Sequence, residues 1–359
     1  MSPVTFTATQ ARQKVGSKYL RNGIIIATAS GVTYGLYTAF ITLAMSMGVW
    51  EDWYGPNLAL LSLFTITYVL GSLGSAVNYT LSAVWATGAA AVKGKLRDFV
   101  RSIKTKPGRT LVIASLVGGP ISTSAYVIGL QLAGSIIIPI TALCPAIGAI
   151  LARIFYKQKL TARMLFGIAI CVLATVLIGL QAVEPDAHPN MLLGIIIASV
   201  AAFGWGFEGC IAGYATAFID DDIAILIRQS VAGLSGLIIL APLFALIGGN
   251  VGEVVMLAGR IVTDMGSFPI FFISSFFALY TFKWWYKGNS MCGAALGMAC
   301  NGTFSFWGPL FCWLILGLIV GQDGWALPPV AWVAAVLMFI GVLFIAVNPL
   351  MIFKKKEVA

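Results

Sequence analysis

An apolar stretch of about twenty residues is long enough to cross the hydrocarbon core of a bilayer as a helix, and this sequence carries such stretches almost end to end. Of its 359 residues 59% are hydrophobic and 10% charged, where a soluble domain has about 25% charged residues. Inside lipid every backbone polar group must find its partner within the protein, so the stretches read as helices. The expected fold is an all-α integral membrane protein with ten transmembrane helices near 22–46, 57–92, 109–131, 134–155, 161–182, 191–216, 222–248, 267–286, 290–319 and 327–350. The second and ninth stretches exceed the bilayer thickness and should tilt or kink. The connecting segments are too short to hold a soluble domain. Residues 1–21 are polar and basic with no apolar core of a cleavable signal, so an uncleaved cytoplasmic segment is expected there.

Orientation follows from the basic residues. With residues 1–21 inside, every Lys and Arg except Arg260 falls at an inner end: before the first stretch, in 93–109, in 153–163, near 228, in 283–287 and in the tail 351–359. Glu51, Asp52, Glu184, Asp186, Glu253, Asp264 and Asp323 fall on the other side. This is the positive-inside pattern. It places both termini in the cytoplasm of a multi-pass protein, expected in the plasma (inner) membrane of a bacterium. The net charge of +9 is then topology plus attraction to anionic headgroups, not nucleic-acid binding.

The chain also repeats itself. "GIIIATASGVTYGLYTAFITLA" from Gly23 and "GIIIASVAAFGWGFEGCIAGYA" from Gly194 share their first five residues, Gly35 with Gly206, and Ala44 with Ala215. One copy opens the first stretch and the other the sixth. Residues 22–182 and 191–350 thus read as two five-helix repeats. An odd number of spans per repeat inverts one against the other, the plan on which secondary transporters build a site near mid-membrane.

Glu208 lies in the second copy, among glycine, alanine, aromatic and aliphatic residues. A carboxylate at the centre of a membrane helix costs on the order of 2.5–3.5 kcal/mol on insertion scales, so it should face the protein interior and mark a pathway or a proton relay. The repeat aligns Glu208 with Tyr37 and Trp205 with Tyr34, each pair spaced i, i+3 on one helix face. Two tyrosines from one half and Trp–Glu from the other would enclose a volume suited to an organic cation, above all a quaternary ammonium, whose charge the ring quadrupoles attract. Ordinary helix packing is the competing reading for each aromatic, and a structural hydrogen-bonded acid for Glu208. In "IDDDIAILIRQS", Asp220, Asp221 and Asp222 suit a helix N-terminus. Arg228, two turns on, has these acids or Glu208 as candidate partners. Asn301, Phe304 and Trp307, at i, i+3, i+6, put an amide and two rings on one stripe, for a cage or for packing.

The sequence resembles the drug/metabolite transporter superfamily, in its EamA-type members, across roughly residues 20–350. The likeness rests on the ten-span plan and on "GSIIIPITALCPAIGAILARIFYKQKLTARMLFGIAI". A closer likeness is to bacterial choline permeases that feed phosphorylcholine decoration of the cell surface, through "VGGPISTSAYVIGLQLAGS" at 117–135, "GWGFEG" at 204–209, "ILIRQS" at 225–230 and "ACNGTFSFWGPLF" at 299–311. Carried across residue by residue, it implies that Trp205, Glu208, Asn301, Phe304 and Trp307 contact substrate. Tyr34 stands where that family tends to have Trp, and Tyr126 where it has a smaller polar residue. The segment 249–266 and the N-terminus are longer here. Tyr126 and, from the eighth stretch, Tyr280 are further cage candidates. Trp284 and Trp285, beside Lys283, are expected as anchors at the inner interface.

Other motifs lead nowhere. Asn78 and Asn301 match glycosylation acceptors but lie inside stretches. The six cysteines read as buried free thiols, and His188, the single histidine, falls in an outer loop. No phosphate-cradling loop is present, so ATP-driven transport is not expected. Neither a cofactor nor a metal is expected, and no catalytic residue. The expected partners are a choline-like organic cation and the lipid bilayer, and a homodimer is compatible with the plan. The function expected is alternating-access import of choline or a related quaternary ammonium, Glu208 neutralising it in an aromatic cage. An exporter of amino acids, drugs or other metabolites on the same fold is the nearest alternative, and a non-transporting membrane receptor for a cation the alternative of another class. An anion carrier fits less well, because the obvious deep charge is negative.

Overall fold

The computed structural model describes residues 8–157, 161–181, 189–216, 218–292 and 294–346. Its described residues are helical throughout their regular structure, with no strand. The first long helix, α1 (Ala8–Ala44), begins well before the expected position 22. A short α2 (Val49–Asn57) follows, then a π-helical turn Thr65–Val69 running into α3 (Leu70–Val92). Next come α4 (Leu96–Ile103), α5 (Lys106–Leu116), a π-helical turn Val117–Ile121 and α6 (Ser122–Ala133). The fourth apolar stretch is broken into α7 (Ile137–Thr141) and α8 (Cys144–Tyr156), and α9 (Ala162–Gln181) ends that half of the chain.

The remainder holds α10 (Met191–Ala215), α11 (Asp221–Ser235), α12 (Ala241–Gly248), α13 (Val251–Ile261), α14 (Phe268–Cys292), α15 (Ala294–Asn301), α16 (Phe304–Cys312) and α17 (Pro329–Ala346). The expected outer loop 249–266 is thus largely a helix, α13. Among the described residues, five helical segments are long and apolar enough to cross a membrane: Tyr19–Ala44, Lys106–Thr141, Met191–Ala212, Asp221–Gly248 and Gly297–Ile319. The expectations for residues 1–7, for His188 and for the tail 351–359 lie outside the described residues.

The solvent for this fold is legible in which side chains face outward. Along α10, Leu192, Ile196, Val200 and Phe203 are exposed while Ala198, Ala201, Ala202 and Trp205 are buried. Along α9, Leu165, Phe166, Val172 and Val176 are exposed, and Cys171, Ala174 and Ile178 are buried. Large apolar groups outside, with alanines prominent among those within, is the pattern of a helix facing lipid, where close approach and not burial from water drives association. The chain is an all-α membrane protein.

The helices pair in a definite scheme. α1 packs along α14 and against α16; α10 packs along α6 and against α8; α3 pairs with α11, and α9 with α17. Gly288 of α14 lets the backbone of α1 approach so closely that a Cβ there would sit 2.6 Å from that of Ala27. The α1–α14 and α6–α10 pairs enclose the centre of the bundle, where the polar side chains collect.

Candidate functional site

Glu208 is wholly buried on α10 and is not alone. Arg228, also wholly buried and on α11, grips it with two hydrogen bonds, Nε to Oε1 at 2.9 Å and Nη2 to Oε2 at 3.3 Å. Tyr286 of α14 donates its hydroxyl to Oε1 at 2.6 Å. A network extends outward: Arg228 Nη1 donates to Gln229 Oε1 at 2.9 Å, and Gln229 Nε2 to Ser82 Oγ at 2.7 Å. The expectation that the deep charge is negative is corrected here. The centre of the bundle holds one carboxylate and one guanidinium, and together they are neutral.

Gly118 ties this pair to the aromatic residues. It sits in the π-helical turn around Pro120, and its carbonyl accepts from Trp205 Nε1 at 2.9 Å, Thr123 Oγ1 at 3.2 Å and Arg228 Nη2 at 3.4 Å. A π-turn disturbs the regular helical ladder, and proline withholds a backbone donor. Here a backbone oxygen serves three side chains instead.

Tyr34 is the hub of the rings. Its centroid lies 5.5 Å from Tyr37, 5.6 Å from Tyr126, 5.7 Å from Trp205 and 6.5 Å from Phe282, all edge-on, and it stacks on Phe304 at 4.3 Å. Tyr126 and Thr38 share a hydrogen bond of 2.6 Å. The hydroxyls of Tyr34, Tyr37 and Tyr79 are buried without a hydrogen-bond partner, so the cluster is rich in unused polar capacity. Asn301 donates to Ser30 Oγ at 2.8 Å and lines, with Tyr34, Trp205, Phe282, Trp285 and Phe304, a void of about 10 Å³. That is room for at most one water.

Of the residues expected at the site, Glu208, Trp205, Tyr34, Tyr37, Tyr126, Asn301 and Phe304 come together. Trp307 does not join them: it is half-buried, stacked on Phe311 and edge-on to Phe306. Tyr280 packs on Phe276 and Trp284 instead. Trp285, expected at the interface, is buried against Phe282 and Tyr286. Sequence reasoning missed Tyr79 and Phe282. Arg228 Cζ lies 3.3 Å from the Phe282 ring centroid and 4.9 Å from that of Tyr79. Both sit in apolar runs, where an aromatic carries no local mark. The "LIRQ" cation offered a signal, since a buried arginine requires a buried acid.

Two features flank this centre. At the end of the bundle where α1 finishes and α3 begins lies a cavity of about 540 Å³, lined among others by Thr42, Trp50, Glu51, Ile66, Leu130 and Gln131. Thr38 and Tyr126, one helical turn deeper, stand between it and Tyr34. At the other end of α3, Asp222 receives Lys93 at 2.8 Å, Lys95 at 2.8 Å and Lys283 at 2.6 Å, while Asp220 caps α11 through the amide of Asp222 and binds Lys95 at 2.8 Å. These bonds tie α3, α11 and α14 together. Among the described residues no cluster of His, Cys, Asp and Glu could hold a metal, and the six cysteines form no disulfide, five of them buried and Cys292 half-buried.

The fold and this site define a helical membrane protein with a neutral ion pair and an aromatic cluster at its centre. No family model matches the chain, and no curated protein matches it. A solved structure described only as "Crystal structure of protein" aligns with 92% of this chain and 99% of its own, at 18% identity and a TM-score of 0.47.

Proposed function

We propose that the protein is a secondary transporter that imports choline or a related quaternary ammonium by alternating access. The observation that carries the reading is the ring of aromatic faces about Tyr34, set beside Glu208, a buried carboxylate that Arg228 occupies in this structure. A quaternary nitrogen cannot donate a hydrogen bond, so it is recognised by ring faces and a counter-charge rather than by acceptors.

The packing scheme supports ten spans in two inverted halves. Exchanging each helix of the first half for its counterpart in the second turns the α1–α14 pair into α10–α6 and the α1–α16 pair into α10–α8, and returns α3–α11 and α9–α17 to themselves. A pseudo-two-fold relation has this property, and a transporter can rock about it. With Lys and Arg inside, the 540 Å³ cavity is an outward vestibule and the Asp222–lysine cluster closes the cytoplasmic end. Both termini then lie in the cytoplasm of a bacterial inner membrane. Import of a monocation needs no coupling ion, because an inside-negative potential contributes about 2.3 kcal/mol per 100 mV, roughly a 40-fold gradient.

The test is electrogenic uptake in proteoliposomes, comparing choline with betaine and an amino acid panel. An inward current specific to quaternary ammonium compounds is expected. Absence of both flux and binding for all of them in a folded preparation would overturn the reading, and binding without flux would identify a receptor.

A further inference from the structure

We propose that Arg228 is a built-in competitor for the cation site: its guanidinium holds Glu208 and the Phe282 face, and a substrate cation binds by displacing it from both. The inference rests on the cation reading above and adds to it the residue that sets affinity.

The geometry makes Arg228 a tethered version of the ligand. Among side chains, a guanidinium is the cation that stacks on aromatic faces and pairs bidentately with carboxylates. Here it does both at once, over Phe282 at 3.3 Å and on both oxygens of Glu208. Phe282 belongs to the ring cluster of Tyr34, 6.5 Å between centroids, and faces the same small void as Trp205 and Phe304. The void of about 10 Å³ cannot take a quaternary ammonium beside the resident guanidinium. A second cation there would also share a single carboxylate with Arg228 in a water-poor interior. The remaining buried acid among the described residues, Asp222, is already held by three lysines. One cation must therefore leave for the other to bind.

Arg228 has somewhere to go. Its Nη1 bond to Gln229 does not involve Glu208, and Gln229 is anchored in turn on Ser82. A shift toward Gln229 would free the carboxylate and uncover the ring while the guanidinium keeps an acceptor. Apparent affinity is then the intrinsic affinity reduced by the fraction of protein with Arg228 displaced.

The experiment is titration calorimetry of the purified full-length protein in detergent with choline and with tetramethylammonium, on wild type, Arg228→Gln, Arg228→Lys and Glu208→Gln. Removing the competitor should tighten binding of both probes at least tenfold in Arg228→Gln. Lysine cannot stack as a plane or chelate both oxygens, so Arg228→Lys should tighten binding by a smaller factor, and it serves if the glutamine variant does not fold. Glu208→Gln should weaken binding. A merely structural arginine would weaken binding when replaced, so equal or weaker binding in the folded arginine variants overturns the proposal while wild-type binding stands. If no variant and no wild-type sample binds either probe, the cation reading itself fails, and this proposal with it.

Discussion

The carboxylate of Glu208 occupies the space that a side chain on residue 118 would fill. A Cβ built on Gly118 collides with Oε2, Cδ and Cβ of Glu208, so the glycine is what allows the acid of α10 to reach Arg228 past the π-helical turn. Helix α10 and that turn are in contact along this seam, and the Trp205 indole donates to the same glycine's carbonyl.

Gly118→Ala should therefore be costly. Overpacking alone costs about 1–3 kcal/mol, and pushing Glu208 off its partner adds the penalty of an unpaired buried charge, about 3–5 kcal/mol when a buried pair is broken outright. Thermal unfolding in detergent should show a clear loss of stability, and an unchanged midpoint would mean that Glu208 is not held where the geometry puts it.

Tyr34 separates packing from hydrogen bonding. Its hydroxyl has no partner, so Tyr34→Phe should be neutral or slightly stabilising, because an unsatisfied buried polar group is removed. Tyr34→Ala deletes the stack on Phe304 at 4.3 Å and the edge contacts around it, and should cost about 3–5 kcal/mol as large-to-small core changes do. Comparable unfolding midpoints for the two variants would contradict the role of the ring as hub.

Asp264 should make stability depend on acid. Burial raises its pKa, but hydrogen bonds from the Ser267 hydroxyl and from the amides of Val49, Ser267 and Gly266 outweigh that and hold it below the ordinary carboxylate value. A depressed carboxyl contributes stability that is present above its unfolded pKa of about 3.9 and is lost as pH falls through the lower folded value. Asp264→Asn should flatten the acid limb of a plot of unfolding midpoint against pH. Gly48, at φ +56°, turns the chain beside this carboxylate, and Gly48→Ala should destabilise on both counts, strain at positive φ and collision with Asp264.

Lys95 should govern the alkaline limb. Hydrogen bonds to Asp220 and Asp222 raise its pKa. The stability it contributes is complete below the unfolded lysine pKa of about 10.4 and is lost as pH rises through the higher folded value. Lys95→Met should remove that part of the alkaline decline measured by unfolding between neutral and strongly basic pH. An alkaline profile identical to wild type would show that the Asp222 cluster is carried by Lys93 and Lys283 alone.

The apolar runs by themselves determined that the chain is helical and lives in lipid, since a bilayer leaves a twenty-residue apolar segment few other choices. The isolation of Glu208 in such a run fixed it as interior, because the cost of facing lipid is prohibitive, and the i, i+3 spacing with Trp205 put both on one face. Tertiary structure alone decided what that face meets. Arg228 follows Glu208 by twenty residues in the chain, on another helix, and the sequence left its partner open between Glu208 and the aspartates of its own helix. Tyr79 and Phe282 come from α3 and α14, and Trp307 turned to Phe311 rather than Tyr34. Each of these outcomes depends on how a helix is rotated about its axis against its neighbours. In lipid that rotation is set by close packing at small residues such as Gly118 and Gly288, and not by a polar face that could be read along the sequence.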